Sequence, residues 1–189
     1  MLCMSKIKEF WRFLKKDSWQ SWFISLILAV VLIKFIFFPL LSLITGSPLP
    51  LVVVESCSMY HESKFDSWWE KNSEWYEGKN ITKENFENYP IKGGLNKGDI
   101  VFIVGRGGYD EGDIIVFNAN RRYPLIHRIV GVEPINTKGD HNPDQIDIEK
   151  SVSDDEIVGR ALFKVPYVGW VKLVFFEPFK PINGRGLCH

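Results

Sequence analysis

The chain has 189 residues with 23 acidic and 23 basic side chains, and a net charge of zero argues against a nucleic-acid-binding surface. Hydrophobic residues make up 46% of the sequence and are concentrated near the N-terminus. A membrane segment followed by one extramembrane domain of about 145 residues is therefore expected.

The first 45 residues predict a membrane anchor. Residues 1–20 have the spacing of a short amphipathic helix, with five basic and two acidic side chains. Residues 21–45 are almost wholly apolar and, at about 1.5 Å per residue, long enough to span the hydrocarbon layer. Because the positive flank is N-terminal, we expect a cytoplasmic N-terminus, a single-pass location in the cell membrane and an extracytoplasmic domain at 46–189.

Two residues interrupt the apolar segment. Lys34 near the bilayer centre costs about 2.5–3.5 kcal/mol on insertion scales, and Pro39 is expected to disturb the helix beyond it. Lys34 either extends toward the membrane surface or contacts a helix of a partner subunit.

An acidic, tryptophan-rich insertion at residues 60–90 predicts two helices. The first has four aromatic side chains on one face: Phe65, Trp68, Trp69 and Tyr76. Gly78 is expected to end this helix and Thr82 to cap the second. The aromatic face either lies in the membrane interface or packs on the domain, and Asn80 begins a glycosylation sequon.

The remainder of the chain has the pattern of β-strands. Gly-Asp turns precede two apolar runs, and the predicted segments are strands at 97–104, 111–117, 125–130 and 157–166, a turn at 137–143 and an apolar run at 168–176. The predicted fold is mainly β: a single N-terminal transmembrane helix, then a small antiparallel β-barrel or coiled sheet with the helical insertion.

The cysteines and histidines predict neither a disulfide framework nor a metal site. Cys3 lies on the opposite side of the proposed membrane from Cys57 and Cys188, which argues against a framework. His127 and His141, with nearby aspartates, lack the close spacing of metal ligands. No metal and no cofactor are predicted.

Serine, histidine and aspartate occur in an order that suits acyl transfer. A serine hydroxyl needs a base, usually an imidazole that a carboxylate holds in one tautomer. The candidates are Ser58, His127, Asp140, Asp144 and Asp147. The alternative interpretation is a serine at a strand end and a buried structural histidine.

Five short motifs follow one another between residues 56 and 160. They are Ser56-Cys57-Ser58-Met59, Glu111-Gly-Asp-Ile-Ile-Val-Phe117, Ile126-His-Arg-Ile-Val130, Thr137-Lys-Gly-Asp140-x-Asn142 and Val158-Gly-Arg160. In this order they resemble the boxes of type I signal peptidases, and histidine at 127 is similar to the archaeal and endoplasmic-reticulum kind of that family. The resemblance implies a membrane-anchored β-domain that removes signal peptides from exported preproteins outside the membrane.

The resemblance also implies site roles. Ser58 matches the nucleophile, His127 the general base, and Ser56 a serine whose hydroxyl helps to bind the oxyanion. Cys57 stands where the family has a glycine.

The carboxylate that orients the histidine is less well defined by the resemblance. The family spacing falls on Ile146, so Asp147 is expected to be the partner through a one-residue insertion, with Asp140 as a supporting second carboxylate. Asp144 stays open as an alternative.

The predicted function is a membrane-bound serine endopeptidase that cleaves signal peptides. Its expected partners are signal peptides, the lipid bilayer and, through Lys34 or the tryptophan-rich insertion, other membrane subunits. Two alternatives remain open: a membrane-anchored serine peptidase that processes other surface precursors, and a non-catalytic membrane-tethered β-module.

Overall fold

The computed structural model describes residues 11–119 and 123–188. It divides into two compact units, Met1–Ile44 and Thr45–His189. Residues 1–10 of the amphipathic helix predicted at 1–20 lie outside the described residues, and residues 11–14 are helical.

Helix α1 spans Trp19–Thr45 and is long and apolar enough to cross a membrane, with a mean hydropathy of 2.7 in its most apolar part. Ser18 caps its N-terminus by accepting a hydrogen bond from the Ser21 N–H (3.3 Å). The prediction of one N-terminal apolar helix is confirmed for the described residues.

A wide turn interrupts α1 around Lys34. Residues Ile33–Phe37 form a π-turn, and the Phe38 N–H bonds the Ile33 carbonyl. Pro39 has no N–H, and its ring crowds the carbonyl four residues earlier, so the turn before a proline widens. The disturbance therefore precedes Pro39, whereas the sequence placed it beyond.

Six antiparallel strands form one sheet in the second unit. They are β1 (Leu51–Val53), β2 (Ile100–Val104), β3 (Ile114–Phe117), β4 (Leu125–Val132), β5 (Ile135–Lys138) and β6 (Ile157–Val165). Their order is β1-β2-β6-β3-β4-β5, so β1 and β5 are free edges and the sheet does not close into a barrel. The description "mainly β" is only partly right, since 39% of the protein is helical and 19% is strand.

Two segments differ from their predicted structure. The turn expected at 137–143 begins inside β5, whose Thr137 and Lys138 are buried and pair with β4. The apolar run at 168–176 forms helix α4, Trp170–Phe176. A short continuous apolar run has no period that separates helix from strand.

The tryptophan-rich insertion forms helices α2 (Phe65–Glu77) and α3 (Lys83–Asn88), in agreement with the predicted pair. Thr82 caps α3 by accepting the Asn85 N–H at 3.2 Å. Side chains of the insertion form a buried cluster that also includes Val130 of β4: Trp68, Trp69, Tyr76, Ile81 and Phe86. Of the two interpretations left open, the structure favours an aromatic face that packs on the domain, because these rings are removed from solvent.

The argument against a disulfide framework does not extend to one pair of cysteines. Cys57 and Cys188 are bonded, with their Cα atoms 5.6 Å apart. Both belong to the second unit. The argument from Cys3 concerned a different cysteine, and the return of the C-terminal segment to Cys57 is a tertiary feature that spacing along the chain does not show.

We expect Phe86→Ala to lower the free energy of unfolding by about 3–5 kcal/mol, because the fully buried ring leaves a cavity in the aromatic cluster. Phe179→Ala is the matched control, since Phe179 is 86% exposed and should change stability by less than about 0.5 kcal/mol. Urea unfolding of the detergent-solubilised chain, followed by tryptophan fluorescence, measures both. Equal losses in the two variants contradict this account of the cluster.

Candidate active site

Ser58 lies in the loop that follows β1, and four contacts hold that loop. The Ser58 carbonyl accepts the His141 N–H (2.8 Å), and the next carbonyl, that of Met59, accepts the Leu95 N–H (2.7 Å). The Met59 side chain is fully buried. Gly139 approaches so closely that a Cβ there would lie 2.7 Å from the Ser58 carbonyl oxygen. The backbone from the Ser58 carbonyl onward is therefore fixed by the body of the domain.

His127 is the third residue of β4 and pairs with Ile115 of β3. Its side chain is buried, and its Nε2 atom lies 3.0 Å from Ser58 Oγ. The ring contacts the edge of Phe117, with centroids 6.4 Å apart. The strand thus orients the imidazole toward the serine hydroxyl.

The carboxylate beside the other imidazole nitrogen is Glu149. Its Oε1 atom lies 2.5 Å from His127 Nδ1, although the two atoms are not aligned as in a linear hydrogen bond. Glu149 is fully buried and ends a single 3-10 turn, Asp147–Glu149. Its second oxygen accepts the Ile146 N–H at 2.8 Å. One oxygen is therefore anchored to the backbone, and the other faces the histidine.

Asp147, the expected partner of His127, lies elsewhere. Its side chain is 94% exposed and 2.7 Å from Lys150 Nζ, and this hydrogen bond lowers the pKa of Asp147. A 3-10 turn has about three residues per turn, so side chains two positions apart do not share a direction. Glutamate is also one methylene longer than aspartate and reaches inward from 149. The sequence analysis missed Glu149 because it weighed only aspartates.

Asp144, the other alternative, contacts the insertion instead. Its Oδ1 atom accepts a hydrogen bond from Trp75 Nε1 at 2.8 Å, and this bond lowers the pKa of the Asp144 carboxyl.

Asp140 does not contact His127 either, which corrects its predicted role as a second carboxylate at the histidine. It accepts hydrogen bonds from Arg128 (Nε 3.0 Å and Nη2 2.8 Å) and lies 3.0 Å from His61 Nε2. Both Asp140 and Arg128 are fully buried. Burial raises the pKa of Asp140, but Arg128 and His61 outweigh it and hold the pKa well below its usual range. Asp140 is therefore a buried structural anion behind the site.

Lys138 is a buried lysine in β5 that the sequence analysis placed in a turn. Its ammonium lies 4.9 Å from the ring centroids of Trp75 and Tyr76 and donates to the Gly139 carbonyl at 3.1 Å. Burial lowers the pKa of Lys138 to about 8. This lysine ties the 138–140 backbone to the insertion.

A groove of about 990 Å³ opens over these side chains. Its walls include Leu51, Val53, Ser58, Leu125, His127 and Leu187. Ser56 also faces the groove, is exposed, and has its Oγ 3.2 Å from Ser58 Oγ. The groove is mainly apolar, and Ser58 and His127 are among the residues that line it.

The chain is similar in sequence to catalytic subunits of signal peptidase complexes. It is 32% identical over 95 residues to the signal peptidase complex catalytic subunit sec11 of Dictyostelium discoideum, a match that covers 43% of this chain and 53% of that one. The subunit SEC11 of Verticillium alfalfae is 28% identical over 152 residues, covering 72% of this chain and 70% of the relative. No protein-family model matches the chain.

The chain spans little more than half the length of two of these relatives. It covers 53% of the Dictyostelium subunit and 57% of the signal peptidase complex catalytic subunit sec11 of Sclerotinia sclerotiorum. These similarities confirm the resemblance to type I signal peptidases of the endoplasmic-reticulum kind.

We expect Asp140→Asn to lower the free energy of unfolding by about 3–5 kcal/mol at pH 7, because Arg128 is left buried without its counter-charge. The pKa of Asp140 is lower in the folded than in the unfolded chain, so this stabilisation is complete above about pH 4 and lost as the pH falls below it. Denaturant unfolding from pH 7 to pH 2 measures the difference between wild type and variant.

The difference should narrow below about pH 4. Exposed Asp147→Asn serves as the control and should change the free energy of unfolding far less than Asp140→Asn does at pH 7, because its ion pair with Lys150 lies in water. A difference that stays constant across the range contradicts the assignment of a charged Asp140 in the folded state.

Proposed function

We propose that this protein is a membrane-anchored serine endopeptidase that removes N-terminal signal peptides from exported preproteins. The observation that supports this most directly is the 3.0 Å contact between Ser58 Oγ and His127 Nε2, with Glu149 on the opposite imidazole nitrogen. The sequence similarity to catalytic subunits of signal peptidase complexes supports the choice of substrate. A non-catalytic module does not need a serine, an imidazole and a buried carboxylate in line.

In the proposed reaction His127 is the general base. A proton on Nδ1, next to Glu149, leaves the lone pair of Nε2 free to accept the Ser58 proton. Ser58 Oγ then attacks the scissile carbonyl, and Glu149 stabilises the imidazolium that forms. His127 returns the proton to the leaving amine, and water hydrolyses the acyl-enzyme by the same proton transfers.

The developing oxyanion needs donors beside Ser58. We assign the Ser58 backbone N–H and the Ser56 hydroxyl, which lies 3.2 Å from Ser58 Oγ and is exposed to the groove. Each donor of this kind contributes roughly 3 kcal/mol in a site without water. Asp140 takes no part in this chemistry; it positions the neighbouring backbone.

The substrate is proposed to be an extended peptide. Strand β1 is an edge of the sheet and lines the groove next to Ser58, so an added peptide strand can pair with its free backbone groups. Leu51, Val53 and Leu125 make the nearby wall apolar. Small uncharged side chains before the cut are the residues that we propose to lie against this wall.

Membrane attachment is proposed through α1, with the basic N-terminal flank on the cytoplasmic side. The named relatives are catalytic subunits of a complex, and by analogy we propose that this chain also assembles with other membrane subunits. Lys34 in the π-turn of α1 is a charged residue of the helix that a partner can contact.

We expect Ser58→Ala and His127→Ala each to lower kcat/KM for a preprotein by about 10⁴-fold or more, since each removes a partner of the proton transfer. Ser63→Ala is the matched control, because Ser63 is exposed and contacts only the Lys64 carbonyl among the contacts described. Cleavage of a radiolabelled preprotein by purified enzyme in detergent measures all three. Wild-type cleavage by Ser58→Ala would end this proposal.

A panel of peptides distinguishes signal peptidase activity from the processing of other surface precursors. Cleavage should require small residues at the −1 and −3 positions and fall at least about 100-fold with leucine at either position. Equal cleavage of the leucine peptides favours the other class of substrate.

The roles of Glu149 and Asp147 can be separated by two amide substitutions. Glu149→Gln should lower kcat by about 10²- to 10⁴-fold, because the imidazole loses the carboxylate that orients and stabilises it. Exposed Asp147→Asn should stay within about twofold of wild type. Steady-state kinetics on one peptide measures both, and a larger loss for Asp147→Asn would reverse the assignment.

A further inference from the structure

The C-terminal segment, Glu177–Cys188, forms one side of the active-site groove. Six of its residues line the cavity that contains Ser58 and His127: Lys180, Pro181, Gly184, Arg185, Leu187 and Cys188. Strands β1 and β4 provide the opposite side through Val53 and Leu125. A peptide that reaches Ser58 along this groove therefore passes between the sheet and the segment.

The end of this segment is a thin wall. A second cavity of about 590 Å³ lies next to Tyr60, Asn96 and Trp170, and Leu187 and Cys188 line both cavities. Both cavities are open to solvent, so the end of the segment has free space on two sides and is not held there by close packing. Displacement of its end would join the two cavities and remove one side of the groove.

Apolar burial also contributes little to holding the segment. Phe179 is 86% exposed, Ile182 is 80% exposed and Leu187 is 56% exposed. Because hydrophobic stabilisation scales with the apolar area removed from water, these side chains do not anchor the segment to the domain.

Polar contacts fasten mainly the first half of the segment. Lys97 is buried, and its ammonium donates to Glu177 (2.8 Å) and to the Gly184 carbonyl (2.7 Å). Lys180 lies 3.5 Å from Glu55, a partly exposed pair of the kind that contributes little. Within the described part of the chain, Arg185 donates to carbonyls of the segment itself, those of Lys180 and Pro178. Beyond residue 184, the covalent bond from Cys188 to Cys57 is the strongest described link to the domain.

The catalytic geometry has other supports. His127 is fixed by β4, Glu149 by the Ile146 N–H, and the Ser58 backbone by the His141 N–H. Loss of the disulfide therefore leaves these three contacts in place and frees the end of the segment.

We propose that the Cys57–Cys188 disulfide is a positioning element that holds the C-terminal segment as the wall of the peptide groove and so sets the affinity for the peptide. This inference rests on the proposed peptidase function. Cys57 and Cys188 touch no reacting atom; they act through the wall. Loss of the bond raises KM and leaves kcat nearly unchanged.

Reduction should have the same effect as substitution. A dithiol reductant supplies two electrons and two protons, the S–S bond breaks to give two cysteine thiols, and the dithiol closes to its own disulfide. Oxidation reverses the change as long as the segment can return to Cys57.

The test uses the full chain in detergent and four variants: Cys57→Ser, Cys188→Ser, the double variant and, as a matched control, Cys3→Ser, which retains both bonded cysteines. The three variants without the disulfide should raise KM about tenfold, keep kcat within about threefold, and not respond to dithiol. Wild type and Cys3→Ser should show the same rise only after reduction. Trypsin cleavage after Arg185 should accelerate in parallel.

Cys188→Ser is the most informative variant because residue 188 is remote in sequence from Ser58. An unchanged KM in Cys188→Ser overturns the proposal, whether or not kcat falls. If wild type cleaves no preprotein, the proposed function fails separately. The role of the C-terminal segment as the groove wall is then tested by the affinity of Ser58→Ala for a fluorescent signal peptide. Binding that becomes about tenfold weaker after dithiol treatment supports this role, and unchanged binding overturns it.

Discussion

The buried anion Asp140 is the constraint on which the geometry of the site depends. Its carboxylate binds Arg128, which follows His127 in β4, and His61, which lies three residues after Ser58. The residues next to the proposed base and those next to the proposed nucleophile are thus tied to one charge. A buried carboxylate requires such partners, because an unpaired ion in the interior is costly. The need to satisfy Asp140 therefore brings two distant chain segments together.

The two buried carboxylates of this region have separate tasks. Asp140 is neutralised by the fixed charge of Arg128 and has no contact with the proposed base. Glu149 faces His127, whose charge changes during the proposed reaction. A carboxylate already paired with arginine stabilises an imidazolium much less, so the division follows from charge balance. The aromatic insertion also contacts Asp140, because the Tyr76 hydroxyl donates to that carboxylate at 3.4 Å. Lys138 in turn lies against the Tyr76 ring.

The sequence predicts the elements better than their arrangement. The apolar helix, the pair of helices in the insertion and most strands follow from hydrophobic period and capping residues such as Thr82. Ser58 and His127 could be chosen because five motifs occur in order. Glu149 could not, since the orientation of a carboxylate in a 3-10 turn depends on contacts from Ile146 that sequence spacing does not encode.

Cys57 illustrates the same limit. In the sequence it is an unexplained replacement for a glycine, and its partner lies 131 residues away. Pairing across that distance depends on where the C-terminal segment returns, which is a property of the assembled sheet and α4. The same holds for the open edges of the sheet and for the helix within residues 168–176. Both depend on tertiary contacts, which can outweigh the local sequence pattern.

The central claim is that Ser58 attacks the peptide with His127 as its base. Acid-quenched mass spectrometry of the enzyme during turnover of a preprotein tests it most directly. The account predicts that the signal peptide becomes ester-linked to Ser58, in a species that His127→Ala does not accumulate. Turnover without acylation of Ser58, or acylation of another residue, would contradict the account.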